Sequence, residues 1–309
     1  MTRRAAAGFG RLLPLLLIAA ALVIVAGAAL VAACGGSSGG ATPGPTAAVT
    51  VTPGGSATAT ASPSASPLAA PAETTIRLYF VRDEKLGVAE RRVAHTTMPA
   101  TAAMKALLAG PAAAEKAAGL ASAVPEGTKL LGLAISGSTA RVDLSDTFAS
   151  GGGSLSMTAR VAQVVYTLTR FPTVRSVEFL VGGQPVDALG GEGVPLAAAQ
   201  SRADWRSFEP AIFVESPGVG AVVLSPFTLS GTASVFEGTF QARLVDSSER
   251  RIVNVTVQAS RGAPGRGRFT KEIAFSTSAK RGMLMVYDQS MEDGSRQDEI
   301  RVPISFSSD

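Results

Sequence analysis

From Thr74 onward apolar and polar positions alternate. TTIRLYFV sets Ile76, Leu78 and Phe80 against Arg77, Tyr79 and Val81, a period of two that predicts a strand. A second short strand is expected at 89–94, after a turn over 83–87. The period then changes. Met104, Leu107 and Leu108 recur at helical spacing, and Gly110-Pro111 is a strong stop. Two apolar runs, 129–135 and 140–144, flank Ser136-Gly137-Ser138 and read as a hairpin.

After the glycines at 151–153, Met157, Val161, Val164, Val165 and Leu168 form one stripe of a helix that starts near Ser154 or Ser156. Pro172 ends it, because a proline pushes the preceding residue away from α geometry. The same spacing places Gln163, Thr167 and Arg170 together, three or four residues apart, largely away from the stripe. They are therefore expected on a polar helix face, solvated or offered to a partner. A strand over 174–181 turns at Gly182-Gly183. The order is ββαββαβ, an α+β domain with helices on one face of a sheet.

A connector over 194–208 holds the only tryptophan, Trp205. Beyond it no helical stripe recurs. IFVES, AVVLS, FTLSGTA, TFQARLVD, RIVNVTVQAS, GRFTKEIAFS, GMLMVYDQS and EIRVPISF are short alternating runs separated by Gly, Pro, Ser and Asp. About seven strands in roughly 100 residues favour an antiparallel β-sandwich of immunoglobulin-like topology.

The N-terminal quarter follows other rules. Residues 1–33 carry Arg3, Arg4 and Arg11 before a long uncharged apolar run, and Val31-Ala32-Ala33 stands directly before Cys34, the only cysteine. This arrangement resembles the signal peptide and lipobox of bacterial lipoproteins, in which the cysteine becomes the lipidated amino terminus. An uncleaved signal anchor is the alternative, and both readings export the rest of the chain. The segment 34–72 is rich in Gly, Ser, Thr, Ala and Pro, with too little apolar side chain to offset the entropy of ordering, and is expected to be a disordered tether. One cysteine permits no intrachain disulfide, so the domains must rely on packed cores. Of the 28 basic residues three lie in the leader, and the remainder nearly balances the 24 acidic ones. Nucleic acid binding gains no support from that balance.

Candidate chemistry is sparse. The single histidine, His95, sits at a strand-to-helix junction, where a surface or capping role is commoner than catalysis, and one histidine makes a zinc or iron site improbable. Asp143 and Asp146 form a carboxylate pair at a strand end; bonding to turn backbone is the favoured reading over glycoside hydrolysis. Asp288, Glu292, Asp293 and Asp298 match no calcium loop spacing. Arg243, Arg250, Arg251, Arg261, Arg266, Arg268, Lys271, Lys280 and Arg281 give the β half a positive cast, fit for solvation or for weak adhesion to anionic wall polymer or headgroups.

Several segments in order, IRLYFVRDEKLGVAERRV, ALLAGP, VPEGTKLLGLAISGSTARVDLSDTF and AQVVYTLTRFPTVRSVEFLVGGQPV, resemble the GerMN domain of sporulation and germination lipoproteins, over 74–190. The stretch from FEPAIFVESPGVGAVVLSPFTLSGTASVFEGTF onward is similar to the immunoglobulin-like domain of bacterial spore germination, over 209–307. The resemblance implies an extracytoplasmic lipoprotein without a known catalytic residue, and from the residues themselves no metal and no cofactor is expected. It is expected to be held to the membrane by lipid on Cys34 and to assemble with an envelope protein or with itself. A protein that binds or acts on peptidoglycan is the alternative.

Overall fold

The structure, a computed structural model, describes residues 73–190 and 193–307. The segments expected to be signal peptide, lipidation site at Cys34 and tether lie outside the described residues. Among those described, no helix is long and apolar enough to cross a membrane.

The first domain opens with β1 (Thr74–Arg82) and β2 (Lys85–Val93), an antiparallel hairpin closed by Asp83 and Glu84. Both turn residues have positive φ, 51° and 60°, the geometry that matches the twist of a two-residue hairpin. The turn is thus shorter than expected, and Gly87 falls inside β2. There its missing side chain admits Leu120, whose Cδ2 would lie 2.6 Å from a Cβ. Next come α1 (Pro99–Leu108), with proline in its first turn where no amide donor is needed, and a short α2 (Ala113–Ala117) that the spacing did not reveal. Arg91 fastens α2, donating to Glu115 and to the carbonyls of Ala106 and Gly110.

β3 (Leu130–Ser136), β4 (Thr139–Leu144), β5 (Ser176–Val181) and β6 (Gln184–Pro185) form a sheet in that order, with α3 (Ser154–Leu168) crossing over between β4 and the parallel β5. α3 packs against β1, α1, β5 and the connector, so every residue from Ala159 to Leu168 is buried. A small hairpin, β7 (Ala188–Leu189) and β8 (Val194–Pro195), and a 3₁₀ turn, Arg202–Phe208, carry the chain onward. Trp205 and Phe208 are buried there with rings 6.5 Å apart.

The second domain is a sandwich of two sheets. One holds β9 (Ile212–Ser216), β11 (Phe227–Ala233) and β14 (Gly267–Ile273) in the order β14-β11-β9. The other holds β10 (Val222–Val223), β12 (Thr239–Asp246), β13 (Arg251–Gln258), β15 (Arg281–Gln289) and β16 (Arg296–Phe306) in the order β10-β16-β15-β12-β13. Phe240 of β12 meets Phe269 of β14 edge to face at 4.9 Å, joining the sheets through the core. All pairings are antiparallel except β10 with β16, a two-residue parallel contact. The architecture is α+β followed by an all-β immunoglobulin-like sandwich.

Backbone also joins the two domains. The free edge of β2 exchanges hydrogen bonds with the loop after β9: Glu90 N–H donates to Val219 O and Val219 N–H to Val88 O, both at 2.8 Å. Gly218 permits this approach, since a Cβ there would lie 3.1 Å from the backbone of Val88, Ala89 and Glu90. The hairpin of the first domain therefore continues into the second.

Candidate functional site

The polar residues of α3 are not a surface. Gln163 and Thr167 are both 0 % exposed, which overturns the expected partner face of Gln163, Thr167 and Arg170. β1 pairs with β2 on one side only. On its other side Val81 bridges to Ala121, and Tyr79 would be left with an unpaired N–H and C=O. Thr167 Oγ1 accepts from Tyr79 N–H at 3.2 Å, and Gln163 Nε2 donates to Tyr79 O at 3.1 Å. Gln163 Oε1 also accepts from Ala123 N–H at 2.7 Å. One turn of helix thus substitutes for a missing strand, supplying what a buried peptide group must have. Only Arg170, past the helix end, remains exposed.

On the adjacent face the two domains meet. Tyr79 of β1, Tyr166 of α3 and Phe213 of β9 form an aromatic cluster with centroids 5.5 to 6.0 Å apart. The guanidinium of Arg202 lies 5.2 Å from the Tyr79 ring centre and 4.7 Å from that of Tyr166. It donates to Glu215 at 2.6 Å, to the Tyr79 hydroxyl at 3.0 Å, to Thr169 Oγ1 and to Tyr166 O. Tyr79 in turn donates to Glu215 at 2.6 Å. Beside this group Glu209 accepts from Tyr166 at 2.7 Å and pairs with Arg266 at 3.0 Å.

Burial, in part countered by Arg202, pushes the Tyr79 hydroxyl well above its ordinary pKa, and burial with Glu209 does the same to Tyr166. Burial alone would raise Glu215, yet Arg202, the hydrogen bonds from Tyr79 and Arg202, and Arg170 hold it below the usual carboxylate range. Burial works against the charge on Arg202, but its neighbours outweigh that and raise its pKa. Since Tyr79 stays neutral, the compensating charge is that of Glu215.

Between the domains opens a cleft of about 640 Å³, lined by Arg170, Arg175, Arg202, Arg206, Arg266 and Arg268, with Glu209 and Glu215. Sequence reasoning missed it. The arginines come in pairs from the loop between α3 and β5, the connector and the start of β14, and only the fold collects them. A second cleft of about 750 Å³ runs beside α2 and Arg160. Arg160 is 1 % exposed without an acidic partner, and it donates to the carbonyls of Phe148, Ser150 and Gly151, closing the loop before α3.

The candidates for chemistry are dispersed. His95 is exposed between β2 and α1. Asp143 accepts from Gly183 N–H at 3.0 Å, and Asp146 rests against Gly182, so both serve the turn after β5. Asp293 accepts from Ser295 N–H within its own turn. Among the described residues no three acidic, histidine or cysteine side chains converge to hold a metal.

One apolar edge remains. β3 is the margin of its sheet, and its sequence, LLGLAIS, holds neither charge nor proline, the usual protections of an open edge. Its one irregularity, a bulge between Leu130 and Gly132, turns Leu131 outward at 54 % exposure, and Ile135 is 44 % exposed.

An α+β unit joined by hydrogen bonds to a β-sandwich makes a two-domain scaffold with a cleft at its seam. Residues 77–187 match the Germane family, described as sporulation and spore germination, and residues 211–295 match Gmad2, the immunoglobulin-like domain of bacterial spore germination. The chain is a GerMN-domain protein with a C-terminal spore-germination immunoglobulin-like domain. No curated protein matches it. Among solved structures it is similar to a candidate lipoprotein from Clostridium perfringens, at 26 % identity over 43 % of this chain and 89 % of that one, with a TM-score of 0.32. The first GerMN domain of the sporulation protein GerM from Bacillus subtilis is 20 % identical over 42 % of this chain and 99 % of that one, TM-score 0.38. The tandem GerMN domains of the same protein are 18 % identical over 66 % and 62 %, TM-score 0.39.

Proposed function

We propose that the protein is a lipid-anchored assembly module of the cell envelope, without enzymatic activity, held on the extracytoplasmic face of the membrane through Cys34. The observation that carries the reading is the uncharged, proline-free edge of β3. Seven residues without charge or proline, with Leu131 and Ile135 exposed, are suited to pair with a strand of another molecule, a second copy or an envelope protein.

Sedimentation and cross-linking of the full-length protein in mild detergent test the pairing. An oligomer, or a defined envelope complex, is expected and is lost in the Leu131→Lys, Ile135→Lys variant. A strictly monomeric protein that captures no envelope partner overturns the reading. The anchor is tested separately: Cys34→Ser is expected to shift the protein from the membrane to the soluble fraction, and retention in membranes favours the uncleaved signal anchor instead.

A further inference from the structure

The arginines of the interdomain cleft outnumber their acidic partners. Arg202 is matched by Glu215 and Arg266 by Glu209. Arg170, Arg175, Arg206 and Arg268 line the same space, are exposed, and make no ion pair among the described residues. Six guanidiniums against two carboxylates leave the walls with a formal charge of +4. Cations converging on a concavity repel one another, and walls of low dielectric focus their field, so the arrangement is relieved when an anion enters.

The chemistry of the lining narrows the anion. Every cation in the cleft is an arginine, whose planar fork suits phosphate and carboxylate oxygens. The arginines approach from three walls: beyond the end of α3, along the connector, and from β14. A planar carboxylate best serves one fork, whereas a tetrahedral phosphate offers oxygens in several directions. Ser230 and Thr270 add hydroxyl donors between the cations. A volume of about 640 Å³ exceeds one phosphate and suits a short chain of them.

We propose that this cleft binds a linear phosphate-bearing polyanion, such as a phosphodiester polymer of the envelope, with Arg170, Arg175, Arg206 and Arg268 as the contacting cations. Arg202 and Arg266 act as positioning residues, already held by the glutamates. The site stands on the cleft alone and is independent of whether β3 pairs.

The test is fluorescence anisotropy of labelled inorganic polyphosphate with the full-length protein in uncharged detergent, at about 0.15 M salt, where diffuse surface attraction is screened. Changing Arg170, Arg175, Arg206 and Arg268 together to Gln is expected to weaken binding at least about tenfold. Removing four exposed cations elsewhere, with Lys129→Gln, Arg251→Gln, Lys280→Gln and Arg281→Gln, is expected to change it less than about twofold. Thr270→Trp obstructs the cleft without altering its charge and is expected to weaken binding as well. Absence of binding by the unaltered protein, equal losses in the two fourfold variants, or full affinity in Thr270→Trp each overturns the proposal. Circular dichroism melting checks that the variants fold. If the fourfold cleft variant does not, Arg175→Gln and Arg268→Gln taken singly carry the same comparison, and unchanged affinity in both overturns it.

Discussion

The hydroxyl of Tyr79 donates to the carboxylate of Glu215 at 2.6 Å across 136 residues of sequence, tying the first strand of the α+β domain to the first strand of the sandwich. With Arg202 bonded to both, the three groups form a closed triangle, and losing any member leaves a half-buried charge short of a partner.

Tyr79→Phe keeps the ring against Tyr166 and Phe213 and deletes only the hydroxyl. The expected loss is about 1.5–3 kcal/mol in urea unfolding, the range for a hydrogen bond to a charged group. Glu215→Gln is expected to cost as much or more, because Arg202 keeps its charge. Since both act on one triangle, the double variant should lose less than the sum, by at least about 0.5 kcal/mol. Strict additivity would mean that the triangle does not act as a unit.

Gln163→Leu and Thr167→Val preserve the size and helical character of α3 while removing the partners of Tyr79 N–H and C=O. Each leaves a buried backbone group unsatisfied, at an expected cost of about 1–3 kcal/mol. Native-state hydrogen exchange locates the effect: the Tyr79 amide should lose protection in Thr167→Val more than amides of β4 do. A surface role for these residues would instead leave stability within about 0.5 kcal/mol of the unaltered protein.

That pair of residues also marks how far the sequence could be read. Alternation in TTIRLYFV, the stripe through Val161, Val165 and Leu168, and the turn residues between apolar runs were enough for the α+β and sandwich architectures, because those patterns record which side of an element meets a core. They fail where an element is covered on all sides. α3 has no outward side between Ala159 and Leu168, so Gln163 and Thr167, opposite the apolar stripe by period, face β1 rather than water. Tyr79 sits at a position that alternation assigns to the exposed face, yet it is 0 % exposed because the second domain lies against it. The arginine cleft is legible in no window, since Arg170, Arg202 and Arg268 meet only through the docking of the two domains.

The triangle predicts a two-sided dependence of stability on pH. Glu215 has its pKa held below the unfolded value, so the unfolded chain binds more protons in acid; the contribution is complete above the ordinary carboxylate range and is lost as pH falls through the folded value. Tyr79 and Tyr166 have theirs raised, so their contribution is complete below about pH 10 and is lost as pH rises further. Melting temperature should therefore decline below about pH 4 and again above about pH 10. Glu215→Gln should flatten part of the acid limb, and tyrosinate absorbance of Tyr79 and Tyr166 should rise only together with unfolding. Ionisation of both tyrosines in the folded protein near pH 10 would contradict this account.

Gly231 supplies a prediction about the sandwich itself. It lies in β11 at a shift of register against β9, and a Cβ there would fall within the van der Waals shell of the Phe213 carbonyl oxygen while meeting the Phe269 ring at 2.8 Å. The first obstruction is backbone, which no rotamer change relieves. Phe213 is also the sandwich's member of the aromatic cluster with Tyr79 and Tyr166, so strain introduced at Gly231 reaches the seam between the domains. Gly231→Ala is thus expected to destabilise by more than about 2 kcal/mol, against a few tenths of a kcal/mol for an alanine at an unstrained strand glycine. It should also weaken the coupling between Tyr79 and Glu215 measured by the double-variant cycle. An unchanged midpoint in urea would show that β9 and β11 can part locally without cost.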